Sequence, residues 1–406
     1  MTPMGNTPEQ GFDPAALMLI VLVAGIGIGI GIVALRRRPK VPRWMDLRRA
    51  RKRLDVIRRD LDRMFEYMGN LRDSESAVSR PFEQGVAAMK RCHWNQAIEH
   101  FQEARQHATR VQLVPLLVHI GMCHYMQGSL DDALREFGEG SRLADRDRDR
   151  LGAAAALANI GVIHHEYGEF GSALTHLNEA LGIVRELDNQ PAVALCLGNI
   201  GNIHRSNGRL DDALKSHEDA LAISRSLNDE LGMVSGLGNT ASVRHDKGEF
   251  DKALELYAEV IEKARRIGDH IGYAIELGSI GSVYYDKGDF DRALRFYEDS
   301  LAGARRIGFR LAVATELGNI GLVLDKRGAH GQAVPNLVEA LSILLSIGAS
   351  GGQLQVLLGM SRCDDALGRE RMQELLNQSL ASDEGAADML DRIDQLRRRR
   401  PWPTKP

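Results

Sequence analysis

The chain has 406 residues, of which 44% are hydrophobic, 26% charged and 5% aromatic, a composition that supports a large core and excludes a disordered, collagenous or disulfide-rich chain. Lysine and arginine number 52 against 55 aspartates and glutamates, a net charge of -3, so no nucleic-acid partner is expected. The four cysteines, Cys92, Cys123, Cys196 and Cys363, stand in no metal-ligand spacing, which argues against a zinc site or a disulfide framework.

Residues 1–14 carry no lysine or arginine and are expected to form an extracytoplasmic tail. Ala15 to Leu35 reads AALMLIVLVAGIGIGIGIVAL, 21 positions without a charge, and as a helix it spans about 31 Å at about 1.5 Å per residue. This predicts a transmembrane helix. Arg36, Arg37, Arg38 and Lys40 follow at once, so the rule that positive flanks stay inside places the N-terminus out and the repeats in the cytoplasm, in a single-pass membrane protein. Gly25 with Gly29, and Gly27 with Gly31, form small-xxx-small pairs that suit membrane dimerisation and a homodimer; the competing reading is that glycine is common in membrane helices.

Residues 36–80 are expected to form a basic juxtamembrane helix. Leu47, Leu54, Leu61 and Met68 fall on one heptad seam, with Ala50, Ile57, Met64 and Leu71 three residues later, which suits a short coiled coil. An amphipathic helix lying on anionic membrane lipid fits the same arginines.

Beyond residue 80 the chain is organised by a period of 40. Gly121, Gly161, Gly201, Gly281 and Gly321 recur in step, with Ala241 in the missing place; Gly128, Gly168, Gly208, Gly248, Gly288 and Gly328 follow each by seven. Ala133, Ala173, Ala213, Ala253, Ala293 and Ala333 come five later. Such regularity predicts stacked supersecondary units. In residues 151–189 a first helix runs to about Tyr167 and ends at Gly168. A second helix then carries Ala173, Leu174, Leu177, Ala180 and Leu181 on one stripe, and the small residues 161 and 173 mark the crossing.

This pattern of small residue, aromatic, Gly, Ala and Ala resembles the tetratricopeptide repeat (TPR) over residues 82 to about 345. The resemblance implies an all-α fold, a right-handed superhelical solenoid of helical hairpins. Seven units occupy 81–348, a degenerate eighth with a capping helix 349–396, and a basic tail 397–406. The aromatic slot holds His124, His164, His204, Arg244, Tyr284 and Leu324. Equivalent residues of stacked hairpins lie about 10 Å apart, too far to share a zinc, so these histidines read as core residues.

One column stands two residues before the crossing position: His119, Asn159, Asn199, Asn239, Ser279 and Asn319. It is preceded by Ala158, Gly198, Gly238, Gly278 and Gly318, which suggests clearance for another backbone, since glycine weakens a helix by about 1 kcal/mol relative to alanine. An asparagine amide can pair with both groups of a peptide unit. The arrangement is similar to that of the 40-residue repeats of kinesin light chains and the spindle-adaptor family. That resemblance implies peptide contacts at Asn159, Asn199, Asn239 and Asn319, with Ser279 a weaker substitute. Arg205, His245, Tyr285 and Asp325 lie further along the same face. The competing reading is that the asparagines cross-link neighbouring hairpins.

No catalytic constellation, cofactor motif or metal site emerges: GxSxG, HExxH and CxxC are absent, and GIGIGIG has no following Lys-Ser/Thr. The acidic pairs before each second helix suit helix N-termini. The sequence therefore predicts a non-enzymatic, membrane-anchored scaffold or adaptor that holds a protein or peptide ligand in its concave groove, with a partner-responsive signalling regulator as the alternative.

Overall fold

A computed structural model of the protein describes residues 78–90, 93–346, 352–380 and 382–399. The helices are α1 (Ser79–Lys90), α2 (Trp94–His107), α3 (Arg110–Gln127), α4 (Leu130–Asp147), α5 (Arg150–Glu166), α6 (Phe170–Glu186), α7 (Gln190–Ser206), α8 (Leu210–Ser226) and α9 (Glu230–Asp246). They continue as α10 (Phe250–Arg266), α11 (His270–Asp286), α12 (Phe290–Ile307), α13 (Arg310–Lys326), α14 (His330–Ser346), α15 (Gln353–Leu367), α16 (Arg369–Leu380) and α17 (Asp383–Arg399). No strand occurs among the described residues.

From α1 to α14 the helices pair as seven successive hairpins, and each hairpin packs on the next. The turn within a hairpin needs a left-handed residue. Gly168 supplies it with φ of 76°, donating its amide to the His165 carbonyl at 3.0 Å, while the Glu169 amide reaches His164 at 2.9 Å. The return to the next hairpin uses the same device without always using glycine: Arg148, Asp188 and Asn228 adopt φ of 58°, 51° and 52°. Asp149, Asn189 and Asp269 then cap the following helix, accepting from the Gly152, Ala192 and Gly272 amides at 2.8, 3.1 and 2.9 Å.

Within each hairpin the alanine column from Ala97 to Ala333 is buried. A large side chain sixteen residues after the crossing position lies on the glycine there: Phe137 on Gly121, His217 on Gly201, Tyr297 on Gly281. A Cβ on Gly121 would stand 2.6 Å from the Phe137 ring, so the close approach itself requires glycine. The aromatic-slot histidines differ from expectation. His124, His164 and His204 are half-buried, because the slot falls in the last turn of the first helix beside the exposed loop. His164 stacks on His176 with ring centroids 5.0 Å apart. The enclosed histidines among the described residues are instead His119, His165, His217 and His245.

Consecutive first helices, α3 through α15, lie against one another, and among consecutive second helices only α14 and α16 pack comparably. The first helices therefore follow the shorter path and form the inner face of the stack. The acidic residues that open the second helices also tie neighbours together: Asp251 receives Lys287 at 2.8 Å and Asp291 receives Arg327 at 2.9 Å. At the far end Arg397, expected in a basic tail, lies within α17 and donates to Asp364 at 2.7 Å and to the Ser361 carbonyl at 3.2 Å.

The expected single-pass localisation, N-terminus out and repeats in the cytoplasm, is corrected here. Among the described residues no helix is long and apolar enough to cross a membrane; the longest have 18 residues and carry polar or charged side chains along their length. The apolar segment 15–35 with Gly25, Gly27, Gly29 and Gly31, and the heptad seam from Leu47 to Leu71, lie outside the described residues.

Candidate functional site

The column of Asn159, Asn199, Asn239, Ser279 and Asn319 runs along successive first helices, and all five residues are buried. Asn159 Nδ2 donates to the Ala155 carbonyl at 2.8 Å and Asn319 Nδ2 to Glu316 Oε2 at 3.1 Å. Asn199, Asn239 and Ser279 are likewise engaged. Both of these bonds lie within the asparagine's own helix. The preceding glycines make room for the next hairpin's side chains. A Cβ on Gly238 would meet Glu276 Oε1 at 2.9 Å, and one on Gly318 would meet Val356 at 3.6 Å. At Gly198, by contrast, nothing lies within 4 Å.

A polar ladder crosses the inner ends of the first helices, each rung joining a residue to the one 41 positions later. Tyr125 Oη donates to Glu166 Oε1 at 2.8 Å, Arg205 Nε to Asp246 Oδ2 at 2.6 Å, and His245 Nε2 meets Asp286 Oδ2 at 2.8 Å. The Arg205–Asp246 pair is enclosed, its side chains 8% and 4% exposed, so each charge depends on the other. Tyr285 breaks the register: its ring tilts against Phe290 at 5.6 Å, burial pushes its phenol up, and Lys326, 41 residues on, is exposed. Asp325 then takes Arg362 Nε at 2.6 Å. Of the predicted ligand residues, Arg205 and His245 thus serve as links between hairpins.

Accessibility along the inner face is uneven. On α5, Ala155, Ala158, Asn159, Val162 and His165 are all buried, and α13 is closed in the same way from Leu311 to Val323. Between them the face opens. Leu195 and Asn202 on α7 and Ser282 on α11 are half-buried, and Ser235 on α9 is exposed.

The carboxylates of this face divide sharply. Glu166, Asp246, Asp286 and Asp325 have the donors named above, Glu316 has Asn319, and Glu230 pairs with Arg266 at 2.7 Å. Glu276 on α11 is 6% exposed, and no hydrogen bond or ion pair reaches it from the described residues. Sequence reasoning missed it, although the signal was present: ELGSIG at 276–281 against ELGNIG at 316–321.

Asp325, His330 and Cys363, residues of three different helices or turns, come within 4.8 Å of one another, a grouping that linear spacing did not foresee. Asp325 is already paired with Arg362 at 2.6 Å and lies 3.1 Å from His330 Nδ1. Burial pushes the Cys363 thiol up to about 12, which keeps it protonated. Cys123 and Cys196 are also buried, with their thiols pushed up for the same reason.

Helical hairpins stacked with their first helices inward define a helical-repeat solenoid. A family model described as tetratricopeptide repeat matches residues 112–186, 153–226, 233–306 and 277–346. These matches cover more than half of the chain, and the protein belongs to the tetratricopeptide repeat family. No curated protein matches its sequence.

Among solved structures the chain is similar to a Rap protein complexed with competence and sporulation factor, at 16% identity and a TM-score of 0.58, covering 88% of this chain and 96% of that one. It is also similar to the apo quorum sensor NprR from B. thuringiensis, at 14% identity and 0.52, covering 87% and 96%. A third is the signal transduction ATPase with a tetratricopeptide repeat sensor, PH0952 from Pyrococcus horikoshii, at 15% identity and 0.52, covering 98% and 63%. At these identities the likeness is one of fold.

Proposed function

We propose that this protein is a tetratricopeptide scaffold that holds an extended segment of a partner protein against the inner face of α7 to α11. The observation that carries this reading is the open stretch itself. Leu195, Asn202, Ser235 and Ser282 are accessible between the closed faces of α5 and α13, and Gly198 leaves room for a second chain. The buried asparagine row beneath it gives the face a rigid floor, which lowers the ordering cost of binding.

A second reading, a peptide-responsive regulator, is favoured by the similar structures, one a complex with a competence and sporulation factor and one a quorum sensor. The ladder from one hairpin to the next would let a ligand that spreads neighbouring first helices change the curvature of the stack.

Selection of a random peptide library on the full chain tests the proposal. Selected peptides should lose at least tenfold in affinity on Ser235→Arg or Gly198→Leu, and should keep it on Leu187→Arg, a change at an exposed turn. Equal losses in all three variants, or none, would defeat it. X-ray scattering with and without peptide separates the two readings: a regulator changes its radius of gyration and a scaffold does not.

A further inference from the structure

We infer that Glu276 is the recognition point for one cationic side chain, a lysine or arginine, of the bound segment; this rests on the peptide-binding reading above. The residue is enclosed, yet no donor in the described protein reaches it. A carboxylate that keeps only an edge of solvent contact, as this one does at 6% exposure, gains from a counter-charge or hydrogen bonds that offset its reduced hydration.

The sequence explains why it has none. One repeat later the equivalent Glu316 is served by Asn319, a single helical turn away, at 3.1 Å. On α11 that place is taken by Ser279, whose side chain is shorter than an asparagine's and carries no amide. Among the described residues, three neighbouring cationic or ring donors of this face already have acids of their own. Arg205 is committed to Asp246, His245 to Asp286 and Arg362 to Asp325.

Position makes the acid usable. Glu276 Oε1 stands 2.9 Å from where a Cβ of Gly238 would be, so the carboxylate lies across α9 at the point where that helix has no side chain. Ser235, exposed on the inner face, is one turn earlier on α9 and shares a face with Gly238. The acid therefore borders the open stretch rather than the sealed core. A guanidinium or ammonium arriving along that stretch matches one negative charge with one positive charge, and its donors supply the hydrogen bonds the carboxylate lacks.

The test is the same selection from a random peptide library, read for composition. Selected peptides should carry lysine or arginine at one fixed position. Replacing that residue by norleucine or citrulline should cost tenfold or more on the native protein and little on Glu276→Gln. Ser279→Asn, which offers Glu276 the donor that Asn319 offers Glu316, should weaken the same peptides, and it keeps the inference refutable if Glu276→Gln does not fold. Peptides that need Ser235 and Gly198 but show no fixed basic position would overturn this inference and leave the binding face standing. Peptides that bind Glu276→Gln as tightly as the native chain would do the same. Selection of no peptide at all would remove both.

Discussion

Helices α11 and α13 carry nearly the same inner-face motif 40 residues apart, and they use it differently. On α13, Glu316 and Asn319 satisfy each other and the helix is closed along its inner side. On α11, serine replaces asparagine, the acid is left without a donor, and the face opens at Ser282. One side chain thus separates an acid paired within its own helix from one that no described donor reaches. The two acids are held differently: Glu316 exchanges water for an amide, whereas Glu276, 6% exposed, receives no donor from the described residues.

The contrast can be broken most severely by making a second orphan. Arg205→Met strips Asp246 of its partner inside a nearly closed pair and is expected to lower stability by about 3–5 kcal/mol, measured by urea unfolding. Adding Asp246→Leu should restore most of it. Acid makes the next largest change. His119 lies between Phe82 and Phe101, and burial lowers its pKa from 6.5 to about 4.

The folded protein therefore prefers the neutral ring. The stability this provides is complete above pH 6.5 and is lost as pH falls towards 4, up to about 3 kcal/mol in all. Hydrogen exchange should show the first hairpins loosening over that window before the middle ones, and His119→Leu should remove the effect. Asn319→Ala, which removes the amide donor of the buried Glu316, should cost about 1–3 kcal/mol by thermal unfolding.

The smallest effect sharpens the comparison of glycines. Gly198→Ala meets nothing within 4 Å and should stabilise α7 by up to about 1 kcal/mol, whereas Gly121→Ala runs into Phe137 and should destabilise by about 1–3 kcal/mol.

Much of the architecture was legible in the sequence, because the hairpin turn and the helix crossing each demand a residue that stands out there. Gly168 marks a left-handed turn, and Gly161 with Ala173 marks a contact that leaves no room for a larger residue. The return turns were harder to see, since Arg148, Asp188 and Asn228 adopt the same backbone without glycine. The site was legible only in part.

The asparagine column was visible as a column, but whether it faces a ligand or its own helix depends on how tightly successive first helices close, and that is set by contacts between repeats. For the same reason Arg205 and His245 read as free ligand residues until the 41-residue register paired them with Asp246 and Asp286. The membrane reading rested on residues 15–35 and their flanks, and no described helix repeats that pattern.

The most direct measurement is a photo-crosslinking residue placed at Ser235, with a second placed at Leu227 on an exposed turn as the control, each incubated with a peptide selected on the native protein. Crosslinking at 235 and not at 227, competed away by unlabelled peptide, is the predicted result. Crosslinking at 227 alone, or equally at both, would contradict a binding face made by α7 to α11.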